Sequence, residues 1–326
     1  MYVWPGESAN GAADVTVPGR PPRPADSLGP VTQPVGMDER AALALVSEVV
    51  DAAGDDAAVV DGQVFTVDML HETSDFPAGT TRYTAGWRSV GASLSDVAAM
   101  GATATAAVAV YGVPSFDEEG LSAFLRGATD VCEAVDARYV GGDLDEHGEF
   151  TVASAVIGRT DDPVLRSGAS PDDLVCVTGT LGRSAAGLRA FKAGDDERGN
   201  DLFRFRPRVA AGETLAEYAT AMMDSSDGLA RSLHQLAEAS DCGFAVRSEA
   251  VPVDDAVHEF ADDVAGAREM GLYFGEEFEL VVTLPESALA DARAALDVPI
   301  SVVGEATESG VTLDGEPLPD RGFTHG

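Results

Sequence analysis

The chain has 326 residues, 45% of them apolar, and a formal net charge of −35, with Lys192 its only lysine. That length suits two domains. That charge excludes nucleic acid and anionic membrane surfaces as partners, because both need lysine and arginine for neutralisation.

Residues 1–36 hold seven prolines (Pro5, Pro18, Pro21, Pro22, Pro24, Pro30, Pro34) and no apolar period. They are expected to be a disordered extension. Residues 38–52 set Leu43, Val46, Val49 and Val50 on one helical face. Strands follow near Ala57–Val60 and Gln63–Met69. A helix is expected over Arg82–Met100, with Tyr83, Trp87, Val90, Leu94 and Val97 on one stripe. Thr105–Val113 reads as a strand ended by Pro114, Asp117–Asp136 as an amphipathic helix, and Arg138–Gly142 and Glu149–Arg159 as strands.

A boundary is expected near Asp161-Asp162-Pro163. It gives an N-terminal domain over 37–162 and a C-terminal α/β domain over 163–326. The second begins with strand Leu174–Thr178, a glycine-rich turn and a helix near Arg183–Lys192. Helices are expected at Arg208–Met222, Leu229–Ala239, Asp254–Ala265 and Glu286–Leu296. Gly243–Arg247, Phe278–Leu284 and Ile300–Gly304 read as strands. The overall class is α+β in the first half and α/β in the second. No 18-residue apolar run and no charged-then-apolar leader occur, so a soluble cytoplasmic protein is expected. Cys132, Cys176 and Cys242 are too few and too scattered for a disulfide framework or a zinc site.

The chemistry is concentrated in aspartates flanked by glycine or hydroxyl residues: Gly54-Asp55-Asp56, Thr66-Val67-Asp68, Leu94-Ser95-Asp96, Gly141-Gly142-Asp143 and Asp224-Ser225-Ser226-Asp227-Gly228. Each has an ordinary alternative. Gly54-Asp55-Asp56 serves as a turn, and Gly-Gly-Asp serves as a hairpin. Asp227 or Ser226 serves as a helix cap. Asp68 is harder to explain away, because it sits among Val64, Phe65, Val67 and Met69, where an unpaired acid is costly. Carboxylates brought together repel, so a cluster of them implies cations. Oxygen-only ligation points to magnesium beside a polyphosphate. Arg166 is a candidate phosphate contact. The turn Val177-Thr178-Gly179-Thr180-Leu181-Gly182-Arg183-Ser184 lacks the lysine of a Walker loop. The five histidines show no metal spacing.

Taken in order, Gly54–Val60, Thr66–Leu70, Leu94–Ala102, Gly141–Asp143, Arg166–Ala169, Val177–Gly187, Asp224–Leu229 and Gly275–Leu280 resemble the motifs of the thiamine-monophosphate kinase family. That family lies within the aminoimidazole-ribotide synthetase-like ATP-binding superfamily. The resemblance covers the chain from residue 37 onward. It implies a two-domain fold whose N-terminal sheet joins that of a second copy in a dimeric barrel. It also implies ATP-dependent phosphorylation of thiamine monophosphate to thiamine diphosphate. Several magnesium ions would be bound through Asp56, Thr66, Asp68, Asp96, Asp143, Asp224 and Asp227. Gly142, Asp143, Arg166 and Ser226 would contact ATP, and Asp96, Asp227 and Arg166 would carry catalysis. Asp75, Glu276 and Phe323 would line the substrate site, although the family usually has a histidine where Asp75 stands. Abundant acid with almost no lysine further resembles proteins of halophilic archaea.

Overall fold

The computed structural model describes residues 42, 45, 46, 48–50 and 52–322. The proline-rich extension over 1–36, most of the helix expected at 38–52, and Phe323 lie outside the described residues.

The first half builds one sheet from β1 (Ala58–Val60), β2 (Gln63–His71), β3 (Thr103–Val113), β4 (Arg138–Glu146) and β5 (Thr151–Arg159), in the order β1-β2-β5-β3-β4. All pairings are antiparallel except β3 with β4. Alternation along β2 decides which face is covered. Val64 and Leu70 are buried, whereas Phe65, Val67 and Met69 are exposed. One face therefore packs under helices and the other presents apolar side chains to solvent.

Two helices cover the inner face, α1 (Arg82–Ala99) and α2 (Glu118–Glu133). Thr81 caps α1 by accepting the Thr84 N–H, and Asp117 caps α2 by accepting the Gly120 N–H. The small residues of α1 are a packing requirement. A Cβ at Gly86 would sit 2.2 Å from the Phe124 carbonyl oxygen of α2. That close approach buries most of α1, including Ser93, Ser95 and the guanidinium of Arg88.

The second half contains α3 (Arg183–Lys192), α4 (Asp196–Phe203), α5 (Val209–Leu215), α6 (Leu229–Ser240), α7 (Val257–Phe260), α8 (Val264–Tyr273) and α9 (Leu289–Ala295). Its strands are β6 (Leu174–Thr178), β7 (Ala221–Asp224), β8 (Gly243–Val246), β9 (Leu280–Leu284), β10 (Ile300–Thr307), β11 (Gly310–Leu313) and β12 (Glu316–Pro317). They form a sheet in the order β12-β11-β8-β10-β6-β9-β7.

Three expectations need correction. The helix expected over Arg208–Met222 stops at Leu215, and Ala221–Asp224 is a strand. Pairing of Met222 with Val282 on β9 overrides the helical apolar period. The acidic helix expected over Asp254–Ala265 is two helices, because Asp263 accepts the Gly266 N–H and starts α8 afresh. Strand β4 continues past Gly142 to Glu146, held in parallel register by β3. One hydrophobic core runs from α1 and the first sheet to Val209, Met222, Leu280 and Val282. The described residues fall in one compact unit over 39–326.

Candidate active site

Three carboxylates converge. Asp56 precedes β1, Asp96 lies in the last turn of α1, and Asp224 ends β7. One ligand oxygen from each lies within 4.8 Å of the others. At an effective dielectric of about 20, each such pair of charges repels by roughly 3 kcal/mol. Two further β2 residues adjoin the cluster. The Thr66 hydroxyl donates to Asp96 Oδ2, and Asp68 accepts from Ser93 Oγ at 3.2 Å.

Arg166 answers part of this charge. Its Nε and Nη2 donate to the two oxygens of Asp56 at 3.0 and 2.8 Å, and its backbone N–H donates to Asp55 at 2.7 Å. One arginine cannot neutralise four neighbouring acids. Burial, then the charges of Asp68, Asp224 and Asp56, hold Asp96 well above the usual carboxylate range, against the pull of Thr66. Asp224 is pushed up to about 7 by burial and by Asp56, opposed by Ser95, Arg166 and Ser226. Asp224 is fully buried, and its Oδ2 has no hydrogen-bond partner of normal geometry; neither has Ser95 Oγ.

A buried carboxylate oxygen with no hydrogen-bond partner of normal geometry, on a residue that converges with two more carboxylates, has the chemistry of a cation ligand. The donor set is all oxygen and geometrically open, which fits magnesium or a similar hard divalent ion. Asp56, Asp96 and Asp224 would hold it, with Thr66 and Asp68 alongside.

The other expected residues are placed differently. Gly142 shares a row with Asp68 through Ser154 and Ala109, three strand spacings or roughly 14 Å away. Asp143 is exposed there on the edge strand β4 and accepts the Leu144 N–H. Gly142 has a φ of 158°, at the edge of the range that other residues rarely adopt, and space is a second constraint. A Cβ would lie 1.7 Å from the Ala109 carbonyl oxygen, so only glycine fits. Asp227 stands at the head of α6, and its carbonyl packs closely against Gly322. Its carboxylate is not among the three converging groups. Asp75 lies beyond the end of β2, where its Oδ2 accepts the His71 N–H at 2.6 Å and the Ser74 hydroxyl at 2.8 Å.

Glu276 belongs to a second acidic stretch, Glu276-Glu277-Phe278-Glu279, beside the Asp224 loop. Each acid there has its own partner. Glu276 pairs with Arg88 at 2.7 Å. Glu277 accepts the N–H groups of Arg183 and Ser184 at the start of α3. Glu279 takes the fork of Arg208 and the hydroxyl of Thr178. Glu276 and Phe278 have φ of 67° and 56°, in the left-handed region that side chains avoid. Each costs about 1 kcal/mol or more and persists only where the surroundings enforce it.

Sequence reasoning missed Arg88 and the role of Ser93. The available signal for Arg88 was an arginine in the middle of a helix whose interior is mostly small and apolar residues.

Comparison with known proteins identifies the family. The N-terminal domain of AIR synthase related proteins matches residues 54–160, and their C-terminal domain matches 170–315. Thiamine-monophosphate kinase of Halobacterium salinarum is 63% identical over 291 residues, covering 89% of this chain and all of that protein. The Methanospirillum hungatei enzyme of the same name is 40% identical, covering 89% and 99%. This chain belongs to the thiamine-monophosphate kinase family. Among solved structures, the AaThiL complex with AMPPCP and TMP superposes with a TM-score of 0.80 at 25% identity, covering 88% of this chain and 97% of that one. Hydrogenase maturation protein HypE, at 19% identity and a TM-score of 0.63, shares the fold.

Proposed function

We propose that this member of the family transfers the γ-phosphoryl group of ATP to thiamine monophosphate, forming thiamine diphosphate. The observation that carries the reading is the convergence of Asp56, Asp96 and Asp224, the last of which has a buried oxygen with no hydrogen-bond partner of normal geometry. Such a site suits a cation bridging to polyphosphate, and the 63% identical relative bears the name of this activity. When bound, magnesium would neutralise phosphate charge.

The acceptor needs little chemical activation. A phosphate monoester has a second pKa near 6 and is largely ionised at pH 7. The chain's own residues then position and neutralise. Arg166, which pairs with Asp56, would turn toward the transferred group. Ser226 and the Gly142-Asp143 edge would hold the nucleotide, with Asp143 and Asp227 reaching further ions along the polyphosphate. The roughly 14 Å between the rows of Asp68 and Gly142 is too long for one ion and suits a bound nucleotide. Glu276 would meet the thiamine end through Oε1, since Oε2 is taken by Arg88.

The reading extends to assembly. Phe65, Val67, Met69, Val108, Val110 and Ile157 leave an apolar sheet face exposed, with Val67 at 71%. Covering that face with a second copy in a homodimer would bury it. The two halves would act as domains over 37–162 and 163–326, the first supplying Asp56, Asp68 and Asp96 and the second Arg166 and Asp224. Among the described residues no helix is long and apolar enough to cross a membrane, and we place the reaction in the cytoplasm.

The test is ADP release from ATP in molar potassium chloride with candidate acceptors. Release that depends on both thiamine monophosphate and magnesium supports the reading. Release that ignores the acceptor, or that prefers unphosphorylated thiamine, overturns it.

A further inference from the structure

We infer that Arg88 is a positioning residue that holds the Asp224 loop in register with Asp96. The inference rests on the acid cluster being a cation site. Arg88 is 1% exposed and lies on α1, eight residues before Asp96, so about 12 Å of rigid helix separates them.

The grip of Arg88 is specific. Nη2 donates to Glu276 Oε2 at 2.7 Å and to the Glu276 carbonyl at 3.3 Å, while Nη1 donates to the Phe203 carbonyl at 2.8 Å. The guanidinium lies 4.4 Å from the ring of Phe203 and 5.6 Å from those of Phe205 and Phe278. Phe205 and Phe278 stack on each other at 4.2 Å. This cage holds both left-handed residues, Glu276 and Phe278, in a backbone form that persists only where contacts over-determine it.

The gripped segment is laced to the Asp224 loop. The Glu276 N–H donates to the Ser226 carbonyl, the Ser225 N–H to the Glu279 carbonyl, and the Glu279 N–H to Ser225 Oγ. Ser225 and Ser226 directly follow Asp224. A closed circuit therefore runs from Asp96 along α1 to Arg88, across to Glu276, through Ser226 and back to Asp224. Stability alone is a poor account of Arg88. Its Nε is buried without a partner, and an incompletely satisfied buried cation is a weak stabiliser. Lysine lacks the planar fork that reaches a carboxylate and two carbonyls together.

Manganese titration of the free protein, followed by electron paramagnetic resonance in molar potassium chloride, tests this without catalysis. Wild type, Arg88→Met, Arg88→Lys and the double variant Arg88→Met/Glu276→Gln are compared, each with a thermal melt. Manganese affinity is expected to fall about tenfold in Arg88→Met, as for other residues that orient metal ligands, and less in Arg88→Lys. The double variant removes the uncompensated Glu276 charge. It should regain much of the melting temperature lost by Arg88→Met while its manganese affinity stays low. Wild-type affinity in Arg88→Met overturns the inference. So does a double variant that recovers affinity together with stability, since Arg88 would then only neutralise Glu276. A wild-type protein that binds no manganese sinks the cation site itself, and the inference with it.

Discussion

Two acidic regions lie side by side in this protein and are built on opposite rules. In Glu276-Glu277-Phe278-Glu279 each carboxylate meets a dedicated donor: Arg88, the first N–H groups of α3, or the Arg208 fork. In the Asp56–Asp96–Asp224 cluster the nearest neighbours of each acid include other acids. The causes acting on their proton affinities show the contrast. Burial raises Glu279, but Arg208 and Thr178 oppose it. Burial also pushes Glu277 up to about 8, with one neighbouring acid, Glu279, adding to it against backbone N–H groups and Arg88. Burial raises Asp96, and three further aspartates add to it, with only the Thr66 hydroxyl opposing. A fold that needed only stability would pair its buried charges as the first region does. The second leaves charge outstanding, and a bound cation is what would complete it.

The largest effect should come from removing charge where it is outstanding. Asp96→Asn is expected to lower turnover by about 10³-fold, roughly 4 kcal/mol of transition-state stabilisation. The same variant, without magnesium, should melt higher than wild type. One repelling partner is gone, and a gain of about 1 kcal/mol raises the midpoint of a chain this large by about 1–2 °C. Paired kinetics and melts check both. A variant that loses activity and stability together would show that Asp96 is clamped like Glu279. The converse change is Arg208→Met, which strands Glu279 in the interior. It should cost about 3–5 kcal/mol in denaturant unfolding, with melting hardly changed by added magnesium relative to wild type. A loss below about 1 kcal/mol would erase the distinction between the regions.

The sequence made these regions unequally legible. Glycine- and serine-flanked aspartates marked Asp56, Asp96 and Asp224 because short polar motifs next to apolar strands and helices are locally unusual. Periodicity located α1 and α3 closely, since apolar spacing and the glycine turn before α3 are local properties. It failed at 216–224, where a partner strand nearly sixty residues away decides that Ala221–Asp224 is extended. It also missed α4 and the strands β11 and β12, which are short and carry weak patterns. Arg88 was hidden for a related reason. Its importance lies in contacts with Phe203 and Glu276, more than a hundred residues along the chain. Asp143 shows the reverse: its motif was plain, but its distance from the cluster could only come from the strand order.

Acidity sharpens the comparison further. Asp224 has a folded pKa of about 7 against an ordinary value of 3.8. A raised carboxylate stabilises the fold fully below its unfolded pKa, and that contribution is lost as pH rises through the folded value. Without magnesium the protein should therefore lose stability between about pH 4 and pH 7 on account of this group. Asp224→Asn should flatten that slope, and magnesium should oppose it by favouring the ionised form. Melts across this range, with chelator or with magnesium, read the difference. An unchanged slope in Asp224→Asn would assign the pH dependence elsewhere.

A third kind of acid sets the floor. Glu259 pairs with Arg198 at 2.7 Å, but both side chains are substantially exposed, at 52% and 34%. Water and salt already satisfy such a pair, so it is neither clamped nor crowded. Glu259→Gln should change unfolding free energy by less than about 0.5 kcal/mol in molar potassium chloride and leave turnover unaltered. The chain carries 56 acidic residues and a net charge of −35, so lowering the salt should destabilise wild type through general repulsion. In that condition Glu259→Gln should become mildly stabilising relative to wild type, because it removes one surface negative charge at the cost of a weak pair. Denaturant curves at high and low salt would show the sign change. If the variant were instead clearly destabilised at both, surface acids would be functioning as structural clamps. The line between satisfied and outstanding charge would then have to be drawn by something other than burial.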